Sequence, residues 1–388
     1  MAQIKPEVET FARIKVIGIG GSGKNALNHM INSRVKGVDF ISVNTDAQDL
    51  HNSLAKKRIH IGKNLTKGLG AGMNPEIGKR AAEETKEEIQ EAIKGADMVF
   101  IAGGEGGGTG TGAAPVVAST AKELGILTIG VVTKPFSFEG AQRVRLAESG
   151  IDELRKCVDA IIIIPNDRLL STVSKETTAK QAFMMCDEIL KQAVEGISDL
   201  ITTPGVVGNI DFADIRAVLQ DAGSALMGIG TASGEKRAEE AARTAINSPL
   251  LDVSINGAKG VLFSIAAGDD LLMFEIQDAA KIITDSVDPN AKIIFGTVHD
   301  EKIKKGEVRV TVVAAGFPDG TPKKSLFEGK IFNSMTAPAT PNPIEPKSPE
   351  APAPSISPKP EAKTEKKDDE DEDEWSAVPA FLRRSKLK

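Results

Sequence analysis

Two stretches of this 388-residue chain have the composition to hold phosphate. The first, Gly18-Ile19-Gly20-Gly21-Ser22-Gly23-Lys24-Asn25, follows the apolar run Ile14–Ile17 and opens a helical pattern from Asn25 to about Asn32. Backbone N–H groups at such a junction, together with the helix dipole, make an anion site. The string fits GxGxxG, the dinucleotide fingerprint, with Asp39 or Asp46 roughly where a ribose-binding acid would stand. It also fits the GxxxxGK of a Walker A loop, except that Asn25 replaces the Ser or Thr that would hold Mg2+. The second stretch, Gly103-Gly104-Glu105-Gly106-Gly107-Gly108-Thr109-Gly110-Thr111-Gly112, again follows an apolar run (Met98–Ala102) and precedes a helical pattern, about Ala113 to Leu124. It offers a row of unobstructed N–H donors and two hydroxyls, suited to the terminal phosphates of a nucleotide. A dinucleotide enzyme needs one such loop, and a Walker A enzyme needs one plus a metal-binding acid. Neither predicts two phosphate loops on one sheet.

The elements that must position these loops read as repeated β–α units. Phe40–Val43, Ile126–Thr133 and Ala160–Ile164 join the two strands above as continuous apolar runs, the pattern of parallel strands buried on both faces. Ligand loops then gather at the strand C-termini. A long helix from about Ala179 to Leu200 leads to a second mixed region. Strands at Gly260–Ala266, Lys292–Thr297 and Glu307–Ala314 are set there among helices near Lys236–Ile246 and Leu272–Ile283. The fold class is α/β: a Rossmann-like nucleotide-binding domain, a long central helix, a second α/β domain and a disordered C-terminal tail. The boundaries expected are an N-terminal extension (1–10), a nucleotide-binding domain (11–178), the central helix (179–203), a C-terminal domain (204–317), a linker (318–374) and a terminal peptide (375–388). Pro-rich sequence between Pro338 and Pro360 and seven consecutive acids at Asp368–Glu374 favour an extended tether. The tether ends in Trp375, Val378, Phe381 and Leu382 interleaved with basic residues, which suits presentation to a partner.

Composition excludes other classes. Hydrophobic residues are 40% and charged residues 26%, ordinary for a globular core. A net charge of −6 argues against a general nucleic-acid surface. Two cysteines, Cys157 and Cys186, form no disulfide framework and suit a reducing compartment. No apolar run approaches the ~20 residues of a membrane span, and Met1–Thr10 lacks a signal-peptide pattern. His29, His51, His60 and His299 have no metal spacing and read as surface residues.

Gly106–Gly112, GGGTGTG, is the signature of the tubulin/FtsZ family, and the chain resembles the bacterial cell-division GTPases of that family from about Ile14 to Phe317 and again at the terminal peptide. Val43–Asp46, Gly68–Pro75, Thr133–Phe136 with Phe138–Gly140, and Asn209–Asp214 carry the rest of the resemblance in the family's order. It implies a GTP/GDP site with Mg2+ bound mainly through the nucleotide. Gly20, Gly21, Ser22, Gly23, Lys24 and Asn25 would form the first phosphate loop, with Asn25 also reaching the base. Ala71, Gly72 and Met73 would sense the γ-phosphate, and Gly108, Thr109, Gly110, Thr111 and Gly112 would cradle the β- and γ-phosphates. Thr133, Glu139, Arg143 and Asn166 would surround ribose and guanine, Phe183 would stack on the purine, and Asp187 would accept from guanine N1 and the exocyclic amine. Read without the resemblance, Phe183 would be a core residue of an amphipathic helix, and Asp211 and Asp214 would be helix caps.

The resemblance makes Asn209, Asp211 and Asp214 a catalytic loop that enters the next subunit's site, so that head-to-tail stacking into protofilaments completes it. It also implies a division ring at mid-cell beneath the cytoplasmic membrane. A membrane-tethering partner of the FtsA kind, and other division regulators, would bind Val378, Pro379, Phe381, Leu382 and Arg383. Lys24 stands where the family usually has Gly, Glu105 where it often has Met, and Ala377 where the peptide usually has Asp. Lys24 is expected to point to solvent, and Glu105 to face away from phosphate or meet a cation. An oxidoreductase using the first loop alone would leave the second loop, Asn209–Asp214 and the tail without a role. A nucleotide-binding scaffold that polymerises without hydrolysis differs only in whether the two aspartates act.

Overall fold

The apolar runs that lead into glycines are strands, and their sequence order dictates where the glycines meet. The computed structural model describes residues 12–170, 176–202, 210–248, 255–300 and 303–317. Among them the strands are β1 (Ile14–Ile19), β2 (Val38–Asn44), β3 (Lys57–His60), β4 (Met98–Gly104), β5 (Leu127–Lys134), β6 (Ala160–Pro165), β7 (Gly223–Ser233), β8 (Gly260–Ala267), β9 (Lys292–His299) and β10 (Glu307–Ala315). They form one sheet in the order β3-β2-β1-β4-β5-β6-β7-β10-β8-β9. From β3 to β6 every pairing is parallel. The order reverses at β1, which lies between β2 and β4, and an open parallel sheet binds ligands in the crevice at such a reversal. Both glycine loops leave strands at this crevice.

The helices are α1 (Gly20–Asn32), α2 (Ala47–His51), α3 (Lys63–Thr66), α4 (Pro75–Glu84), α5 (Lys86–Ile93), α6 (Thr109–Glu123), α7 (Ala141–Cys157), α8 (Asn166–Leu170), α9 (Ala179–Thr202), α10 (Phe212–Leu219), α11 (Arg237–Ile246) and α12 (Met273–Thr284). They cover both faces of the sheet, so alternate strand residues enter different cores. Val16 packs with Leu27 and Met30 of α1 and with Leu190, Val194 and Ile197 of α9. Its neighbour Ile17 packs with Ala113, Val117 and Ala121 of α6. The spacing of Leu190, Ala193, Val194 and Ile197 along α9 is that of one apolar helical stripe. A third core joins α11 and α12 to β8 and β10.

The sheet runs without a break through the seam where two lobes were expected. There β6 pairs with β7 in parallel over only three residue pairs, Ala160–Gly223 to Ile162–Ala225. Beyond it the pairing turns antiparallel between β7 and β10 and between β10 and β8. Both glycine-loop helices start earlier than their apolar patterns: α1 begins at Gly20 and α6 at Thr109, inside the loops themselves.

Helix α6 reaches its place through backbone-to-backbone contact with α4. A Cβ added to Gly112 would overlap the Pro75 carbonyl oxygen, and one added to Gly78 would overlap that of Gly108. Gly112→Ala should therefore lower stability by about 1–3 kcal/mol, the usual cost of overpacking. A Cβ on Gly107 meets nothing within 4 Å, so Gly107→Ala should stay within about 0.5 kcal/mol of the parent. Urea unfolding of the two variants checks this, and equal midpoints would contradict the packing account.

Candidate functional site

Both loop helices present bare N-termini. The N-cap of α1 is Ile19 and that of α6 is Gly108; neither supplies a capping side chain, and neither first turn contains an acid. The first-turn N–H groups are left for a ligand, and each helix adds a partial positive charge of about half a unit. The two ends touch: a Cβ on Gly20, at φ 72°, would lie 3.1 Å from the Gly110 nitrogen. They open into a cleft of about 540 Å3, the size of a nucleotide pocket.

Most of the residues expected at a nucleotide line that cleft: Gly20, Gly21, Ser22, Asn25, Ala71, Gly72, Met73, Gly108, Thr109, Gly110, Thr133, Glu139, Arg143, Asn166, Phe183 and Asp187. The cleft is built from the helix starts and the 70–73 turn, where Gly70, Gly72 and Met73 take positive φ. Along its wall, Glu139 Oε2 accepts from Arg143 at 2.8 Å and Glu139 Oε1 accepts from the Phe136 amide at 2.9 Å. Phe183, half exposed on α9, meets buried Phe136 edge-on at 5.3 Å, so one ring face stays open for a flat partner. Burial pushes the Asp187 carboxyl up to about 6, with His29 and then Lys24 opposing it.

Four expected contacts lie beneath the lining. Gly23 admits the Ala102 carbonyl oxygen, which a Cβ would meet at 2.6 Å, and Gly112 admits α4. The Thr111 hydroxyl accepts the Gly106 amide at 2.9 Å. Lys24 does not reach solvent: it is buried and pairs with Asp49 Oδ1 at 2.7 Å. Its stem lies on the buried face of α1, and Asp49 supplies the countercharge. His29, read as a surface residue, is half-buried and bonded to Glu188 at 2.7 Å. Glu105 lines the cleft with its carboxyl buried and pairs with no cation among the described residues.

The aspartates of the expected catalytic loop are elsewhere. Asp211, the N-cap of α10, and Asp214, in its first turn, are exposed and do not line the cleft; the Asp211 side chain accepts from the Ala213 amide. Asn209 and the terminal peptide, with Val378, Pro379, Phe381, Leu382 and Arg383, lie outside the described residues. Asp46, one of two candidate ribose-binding acids, lines the cleft and Asp39 does not; sequence reasoning gave no role to Asn44 and Asp49, which also line it. Asn44 and Asp46 sat inside a recognised string. Asp49 gave only a cap spacing, with its amide donating to Asp46 Oδ1 at 2.9 Å.

Comparison with known proteins assigns this arrangement. The GTPase domain of the Tubulin/FtsZ family matches residues 13–174, and the C-terminal domain of the FtsZ family matches residues 223–318. The chain is 44% identical to an FtsZ of M. jannaschii solved as an empty dimer, covering 84% of this chain and 96% of that one with a TM-score of 0.77. The chain belongs to the tubulin/FtsZ family. It is a GTPase of that cytoskeletal family, and its GTPase domain implies binding of GTP and GDP. CetZ2 from Haloferax volcanii, solved as a GTPγS-bound protofilament, shares the fold at 21% identity, with a TM-score of 0.67 over 79% of this chain and 94% of that one.

The Lys24 charge holds Asp187 down against its burial. In Lys24→Met the Asp187 carboxyl should titrate above its present value of about 6, because removing a positive charge disfavours the anion. A carboxyl-carbon NMR titration reads this directly, and an unmoved Asp187 would refute the coupling.

Proposed function

We propose that this GTPase binds GTP in the cleft at the β1 and β4 ends and polymerises head to tail, with Asn209, Asp211 and Asp214 of one subunit completing the site of the next. The carrying observation is how the cleft's own carboxylates are occupied. Asp46 caps α2, Asp49 pairs with Lys24, Glu139 holds Arg143, and the Glu105 carboxyl is buried. Asp187 stands on α9 with Phe183. Asp211 and Asp214, in contrast, are exposed and lie outside the cleft lining. A contact between unlike surfaces that does not close on itself makes a filament.

In this reading the first-turn amides of α1 and α6 hold the phosphates and stabilise charge that develops as water attacks the γ-phosphorus. Asp211 and Asp214 of the adjoining subunit orient that water. Phe183 stacks on the base. Asp187 accepts from guanine N1 and the exocyclic amine; adenine lacks both donors and would leave a buried carboxylate unpaired. No cluster among the described residues suits a metal ion. The cleft is lined by five carboxylates against Arg143, which favours a cation arriving on the nucleotide, and Mg2+ there would neutralise phosphate charge.

The same reading divides the chain into a GTP-binding domain (11–178), a core helix (179–203), an activating domain (204–317), a linker (318–374) and a partner peptide (375–388). It places the filament in a bacterial division ring at mid-cell beneath the inner membrane. No helix among the described residues is long and apolar enough to cross a membrane, so a tether of the FtsA kind, bound at Phe381 and Leu382, would attach it. Asp214→Ala should leave GTP affinity of the isolated subunit unchanged while lowering turnover on the order of 100-fold. Nucleotide titration beside steady-state phosphate release measures both, and equal loss of the two would contradict the composite site.

A further inference from the structure

Glu105 is a departure from the family pattern, and its surroundings are built for an uncharged group. The residue is 5% exposed, and its Oε2 is buried without a hydrogen-bond partner. It occupies a niche that α7 leaves open at Gly150, where a Cβ would lie 2.6 Å from that oxygen and overlap the Thr111 methyl. The Glu105 amide donates to the Thr133 carbonyl at 3.0 Å. The Thr111 hydroxyl accepts the Gly106 amide at 2.9 Å and is the side-chain hydrogen-bond partner of the Glu105 carboxyl. Having accepted from Gly106, that hydroxyl has its own proton to give to Glu105. The residue is thereby held at β5 through its amide, with its carboxyl beside Thr111 at the start of α6.

The cations on the surrounding elements are engaged elsewhere. On α7, Arg143 pairs with Glu139 at 2.8 Å and Arg145 is exposed; on β5, Lys134 lies 4.0 Å from Glu148; on α6, Lys122 pairs with Asp159 and Asp221. An ionised Glu105 would be a buried, unpaired charge beside a polyphosphate, unfavourable on both counts. Burial pushes its carboxyl up to about 7, against the hydrogen bond from Thr111.

Resting on the reading that the cleft holds nucleotide phosphates, we infer that Glu105 is a positioning residue that shapes the second phosphate loop in its protonated form, so that nucleotide binding takes up a proton at this carboxyl. The sign follows from linkage. A bound phosphate raises the Glu105 pKa further, so affinity falls as pH rises above the value in the free protein. Stability behaves alike: with a native pKa raised from 4.5 to about 7, the charged form is disfavoured on folding, and stability declines as pH rises between those values.

The test uses the full chain and GDP, which binds without turnover, by titration calorimetry near pH 8 in buffers of different ionisation enthalpy. The parent should take up up to about one more proton per GDP than Glu105→Gln, and its affinity relative to that variant should fall by up to about tenfold per pH unit above 7. Protons moved by GDP itself or by Asp187 are common to both proteins and cancel in the difference. Glu105→Gln should also gain melting temperature over the parent as pH rises from about 5 to 8, and Glu105→Met gives the same comparison with an apolar side chain. Equal proton uptake and equal pH slopes in parent and variants would overturn the inference while leaving nucleotide binding intact. A parent that binds no GDP would remove the nucleotide reading and this inference with it.

Discussion

Two helix N-termini meet here because backbone is allowed to touch backbone. Wherever the α1 start, the α6 start and α4 converge, the facing residues are glycines whose missing Cβ atoms leave room for a carbonyl or amide: Gly20 on Gly110, Gly23 on Ala102, Gly78 on Gly108, Gly112 on Pro75. The reversal of strand order at β1 brings the two loops to one crevice, and this close approach then makes a single anion site of them. Side chains at these positions would hold the helix ends apart. The uncapped amides, each group too weak alone, would no longer address one polyphosphate.

The charges around that site follow from its shape. A cleft whose floor is amide donors needs no ring of lysines. Lys24, buried beneath the lining, pairs with Asp49 on the wall. The carboxylates on the walls are engaged by a helix cap, by Lys24, by Arg143 or by burial. In the proposed reading, the exposed aspartates of α10 come from a second copy, so that binding would belong to one subunit and hydrolysis to a pair.

Much of this was legible in the sequence, and the parts that were not have physical reasons. Apolar runs gave β1, β4, β5, β6 and β8 within a residue or two, because parallel strands buried on both faces have no competing pattern. The strand β7 escaped because Gly223–Ser233 is rich in Gly, Ala and Ser and carries its β character only through pairing with β10. The starts of α1 and α6 were placed late because glycine hides a helix turn from propensity. In the site, most residues of the recognised strings line the cleft, while Gly23, Lys24, Thr111 and Gly112 lie beneath it. Lys24 and Asp49 depended on which way α1 turns its faces, and no local pattern carries that. Glu105 announced itself only as a departure; the niche at Gly150, on a helix 45 residues later in the chain, could not be read beside it.

The most direct test of the central claim is phosphate release per subunit as a function of protein concentration, with GTP and Mg2+, while light scattering is recorded. A site completed by the neighbouring subunit predicts a rate near zero below a threshold concentration and a rise together with scattering above it. A constant rate per subunit, without scattering, would mean that one chain holds the whole active site and would contradict the account.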